Sequence, residues 1–270
     1  MRKKQSPSLD KTWCIIALMA LFVRCSPPTD ISDTKNPPPV DNSSSNGGKV
    51  TGSCSSGGDC IGVPTIKKSL DLVSINQTNP AIFVSLAYAS SDNFMHEVLY
   101  HKWKEAYLQK PVALMLDKAQ DRLTFLKPSL HLLVYDAARP LSVQRYMWNA
   151  LDSIPVKERV KFVSSPGGKS LHNVGCAVDL TICDAKGIPL DMGAGFDDMR
   201  LIAYPMHEAK YLADGRLTKD QLANRKLLRS VMRYAGFSGI PTEWWHFNAY
   251  SKKEALERFQ VIETEESINQ

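Results

Sequence analysis

Two short segments concentrate the side chains able to do chemistry: Ser170-Leu171-His172-Asn173-Val174-Gly175-Cys176-Ala177-Val178-Asp179 and Glu243-Trp244-Trp245-His246. Two histidines and a carboxylate, here His172, Asp179 and His246, make the donor set of a catalytic zinc site. Three protein ligands leave a fourth position for water, and the metal lowers the pKa of that water toward neutrality. Hydrolysis of an amide also needs a carboxylate that stays off the metal, takes the proton of the water and passes it to the leaving amine. Glu243, three positions before His246, is the candidate for that role.

The elements that carry these residues must satisfy a parity condition. His172 and Asp179 are seven positions apart, and an odd separation in a flat strand puts side chains on opposite faces. They converge only if His172 lies in the turn that contains Gly175, ahead of a strand from Ala177 to Ile182. Glu243 and His246 pose the same problem. Pro241 and Thr242 place Glu243 in an entry loop and leave His246 on a strand from Trp244 to Tyr250. Spacing alone therefore permits zinc without compelling it.

Elsewhere, Ala81 to Tyr88 and Leu130 to Tyr135 read as strands by their aliphatic and aromatic content. Pro111 to Leu126 has apolar residues at helical spacing, as does Ser142 to Leu151 after Pro140. Thr218 caps a helix that runs to about Ala235 and stops at Gly236. Strands and helices mix without a regular βαβ period, so the fold class is α+β, with a central antiparallel sheet flanked by helices. Cys176 and Cys183 share one strand, too far apart to pair, and read as buried free thiols.

Ser170-x-His172-x-x-Gly175-x-Ala177-x-Asp179 with Glu243-x-Trp245-His246 resembles the zinc peptidases of the D-Ala-D-Ala type, whose fold is shared with the zinc domain of hedgehog proteins. Three more segments resemble the dipeptidase branch associated with vancomycin resistance: Tyr88 to Phe94, Tyr135 to Pro140 and Asp191 to Asp197. The likeness runs in family order over residues 70 to 250. It implies a single zinc-peptidase domain with one zinc ion per chain on His172, Asp179 and His246, and Glu243 as general base and acid. It further implies that Arg139 stabilises the transition state, that Ser170 contacts substrate, and that Asp197 pairs with the free ammonium of a D-Ala-D-Ala dipeptide. An aromatic follows the position of Ala137 in several members, where this chain has Ala138. Cys176, beside the metal loop, could coordinate zinc adventitiously.

Plainer roles compete for some of these residues. Arg139 could salt-bridge a turn with Asp136, and Asp191 could satisfy backbone groups in a Gly-rich loop. Trp244 and Phe247 read as core. His96, His101, His131 and His207 read as structural. Two other functions compete as well: a D,D- or L,D-carboxypeptidase acting on peptidoglycan stems, and a cell-wall binding domain without turnover. The Asp191 to Asp197 segment argues against the first, since a carboxylate placed for a free amine disfavours an acylated stem. Glu243 and Arg139 argue against the second.

Composition sets the outer frame. The chain has 270 residues with 33 basic and 28 acidic side chains, and its leader, residues 1–24, holds five of the basic ones against Asp10 alone. From Cys25 onward the chain is close to neutral, which gives no support for a nucleic-acid partner. The apolar run Trp13 to Val23 fits a signal-peptide core and is too short to span a membrane. It closes on Arg24-Cys25, resembling a lipobox apart from Arg24, so Cys25 is a candidate for lipidation and membrane attachment. Residues 25–62 are rich in Ser, Pro and Gly and read as a flexible linker, in which Cys54 and Cys60 could close a small disulfide loop. The catalytic domain is expected over residues 63–262 and a tail over 263–270. These features predict an exported protein of the periplasm or cell envelope, with a small dipeptide and no protein as its partner.

Overall fold

In a computed structural model, the structure describes residues 68–269. The leader, the linker and Cys25, Cys54 and Cys60 lie outside the described residues. Helix α1 (Lys110–Leu126) has Pro111 in its first turn, where a missing N–H costs nothing. It turns Val112, Leu116, Ala119 and Leu123 inward at helical spacing. Helix α2 (Leu141–Ala150) follows Pro140. Further on, α3 (Glu208–Ala213) precedes α4 (Lys219–Tyr234), whose N-terminus carries the capping box of Thr218 and Gln221. Gly236, at φ +100°, lies just past the end of α4. A last helix, α5, spans Lys252–Arg258.

The strands are β1 (Leu72–Ser74), β2 (Phe83–Val84), β3 (Tyr107–Gln109), β4 (Leu130–Asp136), β5 (Ala177–Asp184), β6 (Ser238–Gly239) and β7 (His246–Asn248). β1 and β3 form a separate antiparallel pair. The others form a five-stranded sheet in the order β2-β4-β5-β7-β6, antiparallel except for the edge pair β2 and β4. Its two faces differ in chemistry because side chains alternate along each strand. Leu132 and Val134 of β4 and Val178, Leu180 and Ile182 of β5 meet α1 and the buried Leu228, Val231 and Met232 of α4. Burying each of these side chains is worth about 1.5–3 kcal/mol. The opposite face carries Asp136, Asp179 and the site.

A register shift matters more to that site than any helix. β4 and β5 pair regularly from Leu130 opposite Asp184 to Val134 opposite Leu180, and the next partners are Asp136 and Asp179. Tyr135 is the extra residue of a β-bulge, a device that re-aims side chains next to functional sites. On the other edge of β5, Asp179 stands opposite His246 of β7. Asp136, Asp179 and His246 therefore form one row across three strands.

Two strands are shorter than their sequence suggests. The run Ala81 to Tyr88 yields only β2, because after Ser85 donates to Val134 O the chain turns into a 3-10 segment, Ala87–Ala89, that buries Tyr88. The run Trp244 to Tyr250 keeps β7 alone, with Trp244 and Trp245 packed in the preceding loop. After Ile262 the chain folds back as a 3-10 turn at Glu265–Asn269. There the Glu265 carboxylate accepts the backbone N–H groups of His101, Lys102 and Trp103 at 3.0, 2.6 and 2.6 Å.

Candidate active site

His172 lies in a 3-10 turn, Leu171–Val174, that precedes β5. Ser170 caps it, accepting from His172 N, while Asn173 Oδ1 accepts from Ser170 N. Gly175 ends the turn at φ +66°. A Cβ there would lie 2.9 Å from Leu72 Cδ2 and 3.2 Å from Gln109 N, so a residue without a side chain lets the turn close against β1 and β3. This turn brings His172 to the same side as Asp179, while His246 reaches it from β7 and Glu243 from the loop before.

The donor atoms of His172, Asp179 and His246 all lie within 4.8 Å of one another. His172 Nε2 is 3.1 Å from His246 Nδ1, His246 Nδ1 is 2.9 Å from Asp179 Oδ1, and His172 Nε2 is 3.4 Å from Asp179 Oδ1. Zinc ligands at about 2.0–2.2 Å in a tetrahedral array sit roughly 3.3 Å apart, so the spacing suits one ion. The outer ring nitrogens support the same reading. His172 Nδ1 lies 2.6 Å from Ala137 O, and His246 Nε2 lies 2.9 Å from Asn248 Oδ1. Each outer nitrogen thus has an acceptor for its hydrogen, which aims the inner nitrogens, Nε2 of His172 and Nδ1 of His246, toward each other and toward Asp179. One metal ion would take a ligand atom from each of the three, and outer-shell partners of this kind orient metal-binding imidazoles.

The electrostatics agree. Burial works against a charged His246, but the hydrogen bond and charge of Asp179 outweigh it and hold the imidazolium up to about 9. Burial would likewise raise Asp179, and the charge and hydrogen bond of His172 together with the contacts to His246 press it well below the usual carboxylate range. Asp179 thus stays a charged carboxylate at the point where a metal would sit. Glu243 Oε2 is 3.8 Å from His246 Nδ1. Loss of water around the Glu243 carboxyl raises its pKa, an effect offset in part by His246 and reinforced by Asp179.

Arg139 makes the salt bridge to Asp136 and also reaches the cavity. Its Nε and Nη2 donate to Asp136 Oδ2 at 2.9 and 2.6 Å, and Nη1 donates to Gln144 Oε1 at 3.2 Å. The same guanidinium lines the cavity, with Nη2 3.6 Å from Asp179 Oδ2 and its carbon 4.9 Å above the Tyr88 ring. Burial opposes its charge, and Asp136 more than restores it, so Arg139 stays protonated. Asp136 is itself fixed by Tyr100, whose hydroxyl donates to Oδ1 at 2.6 Å.

Asp197 sits at φ +58°, with Tyr88 donating its hydroxyl to both oxygens at 3.1 and 3.3 Å. Exclusion of water, followed by the charge of Asp179, raises its carboxyl well above the ordinary range. Phe196 beside it packs edge-on against Tyr88 and Trp245 and stacks on Tyr135. Asp191 is elsewhere: its Oδ1 accepts from Gly193 N and its Oδ2 from Gln221 Nε2, a loop-fixing role. Cys176 is corrected as a metal neighbour, since it belongs to the helix-facing core and donates its thiol to Val174 O. Together Tyr88, Arg139, Ser170, Asp197, Glu243 and the three converging residues line one cavity of about 570 Å³.

Tyr88, Tyr100 and Asn248 were not singled out by sequence. Asn248 had a signal, since two positions beyond His246 on a strand is the same face. Tyr88 had another, as the first residue of a recognised segment.

The family model described as D-Ala-D-Ala dipeptidase matches residues 68–263. The chain is 34% identical over 177 residues to the D-alanyl-D-alanine dipeptidase of Escherichia coli, a match covering 66% of this chain and 83% of that one. Against the D-alanyl-D-alanine dipeptidase of Synechocystis sp. it is 29% identical over 168 residues, 52% of this chain and 68% of the relative. Among solved structures, it is similar to the LdcB LD-carboxypeptidase at 20% identity and a TM-score of 0.40, with 71% of this chain and 73% of that chain covered.

Proposed function

Because the chain belongs to the D-Ala-D-Ala dipeptidase family, we propose that it hydrolyses free D-Ala-D-Ala to two D-alanines, using one zinc ion held by His172, Asp179 and His246. The observation that carries this reading is the meeting of three potential ligand atoms within 4.8 Å, each histidine having its outer nitrogen engaged elsewhere. When bound, zinc supplies Lewis acidity to water and to the scissile carbonyl.

The remaining work falls to this chain. Glu243 takes a proton from the attacking water on its carboxylate and delivers it to the departing amine nitrogen. Arg139 has three of its five N–H groups committed to Asp136 and Gln144, and the other two meet the charge that grows on the carbonyl oxygen. A guanidinium held this firmly needs no reorganisation as charge develops. Asp197, braced by Tyr88, receives the free ammonium of the dipeptide, and Ser170 contacts the substrate while capping the His172 turn. Trp245 gives the cavity an apolar wall, with Phe196 packed against it.

We place the enzyme outside the cytoplasm, in the periplasm or cell envelope, on the strength of the basic and apolar leader, with Cys25 as a lipid anchor. An exported dipeptidase meets released dipeptide and not the cytoplasmic precursor pool, which favours scavenging of wall fragments over resistance. The test is release of D-alanine by the zinc-loaded protein from D-Ala-D-Ala and from its N-acetylated form. Cleavage of the free dipeptide alone is expected. Preference for the acetylated form would move the protein to the stem-trimming carboxypeptidases, and cleavage of neither would leave a binding domain.

A further inference from the structure

The cavity has two differently charged ends. Tyr88 and Asp197 lie at the end that follows β2, one edge of the sheet. At the other end, Lys169 and Lys252 line the wall beside Ser170, and Lys252 follows β7 on the far side of β5. The three converging ligand residues stand between, on β5, on β7 and in the turn before β5.

Lys169 is held there by an unusual backbone. It sits at φ +56° in the turn Ser165-Pro166-Gly167-Gly168, where Gly168 N donates to Ser165 O and Lys169 N to Pro166 O. A non-glycine residue in the left-handed region carries a conformational cost and marks a position that its surroundings over-determine. Lys252 reaches across the same turn: a Cβ on Gly168 would lie 3.6 Å from its Nζ. The Lys252 ammonium thus lies beside the turn that leads into Lys169, and both residues line the cavity. Among the described residues, neither makes an ion pair with a carboxylate, whereas Lys102 and Lys161 do.

We infer that Lys169 and Lys252 receive the C-terminal carboxylate of the dipeptide and so fix its direction across the site. This rests on the dipeptidase reading. A free dipeptide is a zwitterion whose charged ends are roughly 7 Å apart when extended, and a cavity with a carboxylate at one end and two ammonium groups at the other matches it in one orientation only. That orientation puts the ammonium at Asp197, the scissile carbonyl near Arg139 and the leaving D-alanine toward the lysines. Long lysine side chains tolerate an imprecise fit, so their contribution goes to capture and alignment more than to the chemical step.

The test compares D-Ala-D-Ala with its C-terminal amide on the zinc-loaded protein and on a double variant, Lys169→Asn with Lys252→Gln. Asparagine is chosen at 169 because it accepts the left-handed backbone. The unaltered protein should favour the acid over the amide by roughly tenfold or more, the usual worth of a charge-assisted contact. The double variant should raise KM for the acid by a similar factor, leave kcat within about twofold, and leave the amide untouched. A matched pair, Lys169→Arg with Lys252→Arg, should restore the preference. Calorimetric binding of the same two ligands, read without turnover, separates this inference from the activity. Binding with acid preference but no cleavage would sink the dipeptidase reading and keep the lysine assignment. An unchanged acid-to-amide ratio in the variant, equal losses on both ligands, or no binding of either overturns the assignment.

Discussion

Asp136 of β4 stands directly across from Asp179 of β5, and the bulge at Tyr135 is what brings them face to face. Two buried carboxylates side by side repel, and the structure answers with a guanidinium. Arg139 spans the pair, 2.6 Å from Asp136 and 3.6 Å from Asp179. His172 spans it on the other side, with Nδ1 3.6 Å from Asp136 Oδ2 and Nε2 3.4 Å from Asp179 Oδ1.

Asp136→Asn should therefore damage catalysis without touching the metal ligands. Tyr100 already uses Oδ1, so the amide nitrogen of an asparagine would face the guanidinium, donor against donor. Loss of an outer-shell partner of this kind typically costs 10–100-fold. We expect kcat to fall by about that factor while zinc content, measured by elemental analysis, stays at one per chain. Unchanged kcat would mean that Arg139 is held by Gln144 and packing alone.

Glu243→Gln removes the proton acceptor and keeps the shape. Turnover should drop by about 10²- to 10⁴-fold with zinc still bound, since Glu243 stands outside the converging donor trio. A variant that turned over normally would remove Glu243 from the mechanism.

The metal should also be part of the fold. Stripping zinc with a chelator removes the tie between β5, β7 and the His172 turn, so turnover should vanish and Tm should fall, both recovering on zinc addition. Gly175→Ala probes the same site from its turn. At φ +66°, with Leu72 and Gln109 crowding the new methyl, we expect a loss of about 1–2 kcal/mol from the backbone alone. Zinc affinity, read by chelator competition, should weaken as His172 shifts. An unchanged affinity would show that Ala137, not the turn, fixes His172.

Cys176 and Cys183 should resist alkylation in the folded protein. Burial pushes their thiols up to about 12 and about 11 respectively, and only the thiolate reacts. Peptide mapping after iodoacetamide at pH 8 should find both unmodified until denaturant is added. The linkage has a definite sign: above about pH 9 the unfolded chain sheds thiol protons that the native one keeps, so stability falls as pH rises. Labelling of either residue in the native state would contradict their burial.

Much of this was legible in the residues. Helix α1 follows from its apolar spacing, α4 from Thr218 at one end and Gly236 at the other, and β5 from β-branched alternation. The parity of His172 with Asp179 demanded a turn, and Gly175 was there to make it. What could not be read has a common cause. The lengths of β2 and β7 depend on how many partners β4 and β5 leave them, a tertiary matter that local composition does not encode. The Tyr135 bulge is equally silent, because one extra residue in a regular apolar run looks like more strand. That is why Arg139 seemed to require a choice between Asp136 and the cavity, when the bulge lets one guanidinium serve both.

Glu265 gives the family boundary a mechanical meaning. The likeness to the family stops at residue 263, yet two positions later a single carboxylate clasps the backbone of His101 to Trp103, immediately after Tyr100. Tyr100 holds Asp136, and Asp136 holds Arg139. A tug on the polypeptide beyond the family boundary would thus arrive at the guanidinium through three linked grips. Trimming this protein to the residues matched by the family model would cut the outermost of them.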